Sequence, residues 1–157
     1  MAIRIILCSA DSSGDTCRRC SNMNSQLERS QLIQYWWSKA LDSLSSAERE
    51  LKADELSFTM NRIYYAAFYA VSAALFERGK SFKKHSGVRS AFHREFIKTG
   101  LLSVKWSKFY DRLFEDRQEG DYIALTTFER PYVENQLAIC REFHKQIRKF
   151  IQSIKTS

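Results

Sequence analysis

The sequence holds one proline and five glycines among 157 residues. That scarcity excludes a turn-rich β architecture, which needs both residue types at its hairpins and corners. No stretch alternates apolar and polar residues as a half-buried strand does. No stretch reaches the roughly 20 apolar residues of a membrane-spanning helix; the most apolar one, 63–76, is shorter and has helix signals on both flanks. There is no block of five consecutive Lys or Arg, so the net charge of +7 is spread along the chain. It suits an acidic partner such as RNA or an acidic protein, and equally an ordinary solvated surface. The four cysteines are Cys8, Cys17, Cys20 and Cys140. Cys17-Arg18-Arg19-Cys20 has no second pair to complete the four ligands of a structural zinc site. It also lacks the βα junction at which a catalytic dithiol sits. No metal or cofactor is expected.

What is present reads as helix. A hydrophobic content of 44% with 13% aromatics places the chain among folded domains rather than disordered ones. Residues 1–22 lack the helical period, and Met23 stands just before that period begins. They are expected to be a flexible N-terminal extension or a non-native start, with 23–157 forming the folded domain. With no good secretory signal and no membrane span, the expected location is cytoplasmic.

Five helical segments follow. In 30–52, Leu32, Ile33, Trp36, Trp37, Ala40, Leu41, Leu44, Ala47 and Leu51 recur at three- and four-residue steps, which gives one apolar face. Segment 56–78 is apolar almost all round and ends at Gly79, a residue suited to follow a C-cap. Its Ala66, Ala67, Ala70, Ala73 and Ala74 permit close helix approach. Burial on every side points to a central helix, and hints at a dimer. A third helix spans 86–98 and ends at Gly100, and a fourth spans 104–119. The last begins near 128–132, where Pro131 fits a first turn, and runs to 155. Cys140 falls in its pattern as a small core residue. The fold class is all-α.

Two polar clusters interrupt this pattern. Asn61-Arg62 opens the apolar run of the second helix, and Arg117-Gln118-Glu119-Gly120-Asp121-Tyr122 closes the fourth. An unpaired buried ion costs several kcal/mol or more. Asp121 or Glu119 is therefore expected to pair with Arg62.

Asn61-Arg62-Ile63-Tyr64-Tyr65-Ala66-Ala67-Phe68, Lys84-His85-Ser86-Gly87-Val88 and Arg117-Gln118-Glu119-Gly120-Asp121-Tyr122 together resemble the HEPN superfamily, in its small stand-alone prokaryotic form. The resemblance covers about 26–154. It implies an up-and-down bundle of four to five helices that forms a homodimer, with the two 117–122 segments approaching each other. It also implies a minimal nucleotidyltransferase as partner, in a pair of toxin and antitoxin type. In such pairs the HEPN member cleaves RNA, and some partners silence it by adding AMP to a tyrosine. By motif position that acceptor is Tyr122.

The sequence departs from the family's ribonuclease pattern, in which a histidine follows the arginine after four to six intervening residues. Here Tyr122, Ile123 and Ala124 hold those positions. Histidine suits proton transfer near neutrality, whereas Asp121 and Tyr122 are poorly matched to it. Arg117, Asp121 and Tyr122 are the candidate catalytic residues. Asn61, Arg62, Lys84, His85 and Arg117 are the candidates for binding RNA or nucleotide phosphate.

Each candidate has a structural alternative. Arg117 binds phosphate, or pairs with Asp121 one turn on. Asp121 orients Arg117 or Arg62. Tyr122 accepts AMP, or caps the bundle. Asn61 and Arg62 join the 117–122 segment in a network that binds a ligand or only fixes helix register. His85, beside Lys83 and Lys84, binds phosphate or transfers protons, or is a solvated loop histidine. His93 and His144 fit their helices without a function. Three functions remain open: a module of a toxin–antitoxin pair binding RNA or nucleotide, an active metal-independent ribonuclease, and a non-catalytic interaction dimer.

Deleting residues 1–22 is expected to shift the melting temperature by no more than a few degrees, about what 1 kcal/mol does in a domain of this size. Calorimetry of the truncated chain checks this, and a large loss would show that the segment packs on the core.

Overall fold

The computed structural model describes residues 18–122 and 128–155, with side chains over 26–118 and 128–153. It is an up-and-down helical bundle: α1 Arg18–Lys52, α2 Leu56–Glu77, α3 His85–Phe92, α4 Val104–Tyr122 and α5 Arg130–Lys155. No strand occurs among the described residues. No described helix is long and apolar enough to cross a membrane.

Helix α2 is the axis of the bundle, packing against α1, α3, α4 and α5. Ala66, Ala67, Ala70, Ala73 and Ala74 are fully buried, as are Ile63, Tyr64 and Val71. Its apolar girth is therefore satisfied within one chain, so burial of α2 is no argument for a dimer. α2 ends where the sequence suggests. Gly79 adopts φ +69°. Its N–H donates to Phe76 O at 2.9 Å, and Lys80 N–H donates to Leu75 O at 2.9 Å, a Schellman motif. Arg29 of α1 reaches the same end and donates to Phe76 O at 3.1 Å and to Glu77 O. A guanidinium there offsets the partial negative charge of unpaired carbonyls.

α1 is an edge helix. It buries Ile33, Ala40 and Ala47 but leaves Leu32 and Leu41 exposed, although the spacing assigned both to its apolar face. Neighbours cover only part of its circumference, so the buried stripe is narrower than the apolar one. α1 also starts at Arg18, twelve residues before the expected start at 30. Residues 1–17, including Cys8 and Cys17, lie outside the described residues, as does the Cys20 side chain.

The third helix starts one residue before the expected position, at His85, and its final turn is π-helical, His93–Ile97. Lys98 N–H donates to His93 O at 2.9 Å to close that wide turn. The turn carries the buried Glu95, held by Lys80 at 2.6 Å, Arg94 at 2.9 Å and Arg78 at 3.7 Å. These bonds tie the loop after α2 to the end of the third helix. Cys140 is buried in α5, and its thiol donates to Ile63 O at 3.8 Å. Burial pushes that thiol up to about 12.

His144 is buried against α2, with Nε2 3.0 Å from Ala66 O. A carbonyl only accepts, so Nε2 carries the proton and Nδ1 is bare. Nδ1 has no hydrogen-bond partner, and the Trp37 ring lies 5.6 Å from the imidazole. Burial lowers the histidine's pKa, and the bond to Ala66 offsets this in part. The unfolded chain then binds the proton first. The stability is present above the ordinary histidine pKa of about 6.5 and is lost as pH falls from there through the lower folded value. Urea midpoints are expected to fall between pH 7 and pH 5, and to fall less steeply in His144→Gln. Equal slopes in the two proteins would assign the pH dependence to other groups.

Candidate functional site

Three elements converge on Tyr64. On α2, Asn61, Tyr64, Tyr65 and Phe68 follow the i, i+3, i+4, i+7 spacing of one helix face. From α4, the Arg117 guanidinium lies over two of these rings, 5.2 Å from the Tyr64 centroid and 5.7 Å from that of Tyr65. This is cation–π range. From the first turn of α3, His85 stacks on Phe68 at 4.3 Å with the rings 22° apart. Its Nδ1 is 2.7 Å from the Tyr64 hydroxyl. Two motifs separated by 32 positions in sequence, at His85 and Arg117, thus share one aromatic floor.

The electrostatics follow from that packing. Tyr64 is fully buried, and burial raises its phenol above the usual range even though Arg117 acts against the shift. The phenol stays protonated and serves as a hydrogen-bonding group. Burial also lowers the His85 pKa, and the Arg117 cation lowers it further, so the imidazole is neutral at pH 7. Lys83 and Lys84 are exposed beside it, which concentrates positive charge at this corner.

Arg117 also borders a hollow of about 410 Å³ lined by Phe58, Met60, Asn61, Arg62, Asp116 and Phe128. Arg62 is exposed there, which corrects the expectation of a buried charge needing a carboxylate. It makes no ion pair among the described residues and stays hydrated, so no desolvation cost arises. The buried carboxylate lining this hollow is instead Asp116. Tyr132 of α5 donates to its Oδ2 at 2.5 Å, and Arg112 lies 3.2 Å from its Oδ1. Asp121 and Tyr122 form the last turn of α4. Their side chains, and that of Glu119, lie outside the described residues, so the expected pairings of Asp121 lie outside them too.

The other histidines sit elsewhere. His93 Nε2 is 2.9 Å from Asp111 Oδ1, to which Arg89 Nε also donates at 2.6 Å, and this cluster ties the third helix to α4. Among the described residues no group of three His, Cys, Asp or Glu is arranged to hold a metal ion. A larger hollow of about 600 Å³ lies along α4 and α5 at Trp106, Phe109 and Ile139. It holds none of the motif residues, so chemistry rather than size marks the candidate site. In the sequence Tyr64, Tyr65 and Phe68 stand only as part of a motif in an apolar run, and Asp116 stands in no motif. The face shared with Asn61 was the available signal for the rings. Asp116 carried none beyond standing next to Arg117.

Comparison with known proteins agrees with this architecture. The HEPN domain family model matches residues 33–150. A protein of Thermotoga maritima named "UPF0332 protein" is 44% identical over 128 residues, which is 82% of this chain and 97% of that protein. A protein of Methanocaldococcus jannaschii named "Putative toxin MJ0142" is 34% identical over 115 residues, 73% of this chain and 78% of its own. A UPF0332 protein of Pyrococcus horikoshii is 31% identical over 114 residues, 73% of this chain and 80% of its own.

Removing the Arg117 cation relieves part of the pressure against imidazolium. The His85 pKa is expected to rise in Arg117→Ala, though burial keeps it from recovering fully. An NMR titration of the ring protons reads this, and an unmoved His85 would mean that the two groups do not sense each other.

Proposed function

Because this chain belongs to the HEPN domain family, we propose that it acts as a toxin-type HEPN protein that binds the phosphate of RNA or of a nucleotide at Arg117. The supporting observation is the meeting of Arg117 and His85 on Tyr64, with Lys83 and Lys84 alongside. A guanidinium keeps its charge and its forked donors at any physiological pH. Charge-assisted bonds to phosphate are roughly twice as strong as neutral ones. The partly exposed Tyr65 and the exposed Phe58 offer faces on which an unpaired base stacks. The toxin name carried by the Methanocaldococcus jannaschii relative is in keeping with this reading.

The same proposal includes the homodimer and the minimal nucleotidyltransferase partner implied by the family resemblance. Tyr122, just beyond Arg117 on α4, is the proposed AMP acceptor. Asp121 is proposed to orient Arg117 or Arg62, and Asn61, Arg62 and Lys84 to extend the binding surface.

A ribonuclease reading gains from one observation: a neutral histidine sits beside the arginine although it does not follow it in sequence.

Binding of a single-stranded RNA, read by fluorescence anisotropy at fixed salt, tests the proposal. Arg117→Ala is expected to weaken binding about tenfold or more, since hydrogen bonds to charged groups contribute about 1.5–3 kcal/mol. Arg141→Ala, with its side chain paired to Glu48 of α1, serves as the control. Equal losses in both variants would reduce the effect to general charge.

A further inference from the structure

We infer that His85, held by Tyr64, supplies the proton transfer that the Arg117 segment lacks, in cleavage of RNA by its own 2′-hydroxyl. The inference rests on RNA phosphate binding at Arg117 as proposed above.

The geometry carries it. His85 is fixed at two points, by the ring of Phe68 at 4.3 Å and by the Tyr64 hydroxyl at Nδ1. Both anchors stand on the rigid central helix. With Nδ1 engaged, Nε2 is the nitrogen open to a ligand. When Nδ1–H donates to the Tyr64 oxygen, Nε2 carries a lone pair, and the same N–H stays in place when Nε2 gains a proton. Arg117 rests against Tyr64 and Tyr65, close enough for its charge to act on the imidazole. A phosphodiester on its guanidinium therefore lies within the same cluster as the imidazole. Among the described residues the groups facing His85 are Tyr64, Tyr65 and Phe68 from α2 and Arg117 from α4, with Lys83 and Lys84 on its own segment. Burial and then the Arg117 cation hold the imidazole in its neutral state, the form a general base needs.

The step balances without a co-reactant. The 2′-oxygen bonds to phosphorus while its proton passes to His85 Nε2. The bond from phosphorus to the 5′-oxygen breaks, and that oxygen takes a proton from the imidazolium or from water. One strand becomes two, ending in a 2′,3′-cyclic phosphate and beginning with a 5′-hydroxyl, and nothing is oxidised or reduced. Arg117 balances the charge that builds on the phosphoryl oxygens. Tyr64 touches no reacting atom and is a positioning residue.

The test uses the full chain and an end-labelled mixed-sequence RNA under single-turnover conditions, with binding measured on the same strand made with 2′-deoxyribose. Wild type is expected to cleave the RNA and leave a cyclic phosphate. His85→Ala and His85→Gln are expected to cleave about 100-fold more slowly or worse, the lower range of general acid–base catalysis, a loss larger than any change in their affinity for the deoxy strand. Tyr64→Phe keeps the core volume. It should move the acid limb of the pH–rate profile to lower pH, because a phenol oxygen accepting the Nδ1 proton favours imidazolium. A purely structural tyrosine would leave that limb in place. Binding without cleavage in wild type, or wild-type cleavage in both His85 variants, overturns the inference and leaves the binding proposal standing. Failure of wild type to bind either strand overturns the binding proposal itself.

Discussion

The small-residue girth of α2 is the constraint on which the rest of this structure depends. Five alanines between 66 and 74 are fully buried, and they let four other elements crowd one central helix. Each alanine replaced by a larger side chain would push a neighbour outward, a type of change that costs about 1–3 kcal/mol in a well-packed core. Where α2 does carry bulk, at Tyr64, Tyr65 and Phe68, the bulk becomes a surface for other groups. The helix is thus both the core of the fold and the floor of the candidate site.

That floor works only because the partners are delivered to it. The loop after α2 brings His85, and it is held where it leaves that helix. The Schellman turn at Gly79 fixes its start, and the Lys80–Glu95 bond fastens it to the π-helical turn beyond. The clustered bonds of Asp111 to Arg89 and His93 fasten the third helix to α4, the helix that carries Arg117. A histidine and an arginine from separate helices therefore meet with little freedom. Preorganisation of that kind is what a site needs if binding energy is not to be spent on ordering its own side chains.

Much of the fold was legible in the sequence, and the reasons are specific. Scarce proline and glycine, apolar steps of three and four, and glycines placed after helix ends gave five helices and a central α2. Boundaries near Lys52, Leu56, Val104 and Lys155 agree because each coincides with a local break in pattern. The start of α1 does not, since 18–29 has no apolar stripe to mark a helix. Leu32 and Leu41 were read as buried because periodicity reports which residues share a face, and not how much of that face a neighbour covers. Arg62 was read as buried for a related reason: an apolar run around a charge says nothing about where on the helix the solvent begins.

The sequence by itself determined the helical class, the axis of the bundle and the polar residues that needed explaining, because these rest on periodicity and composition within single segments. The tertiary structure alone decided that His85 and Arg117 are neighbours joined by Tyr64, and that Asp116 is a buried carboxylate. Those are relations between residues 16 to 53 positions apart. They are set by how helices cross and which side chains fill the space between them, a property no single segment contains.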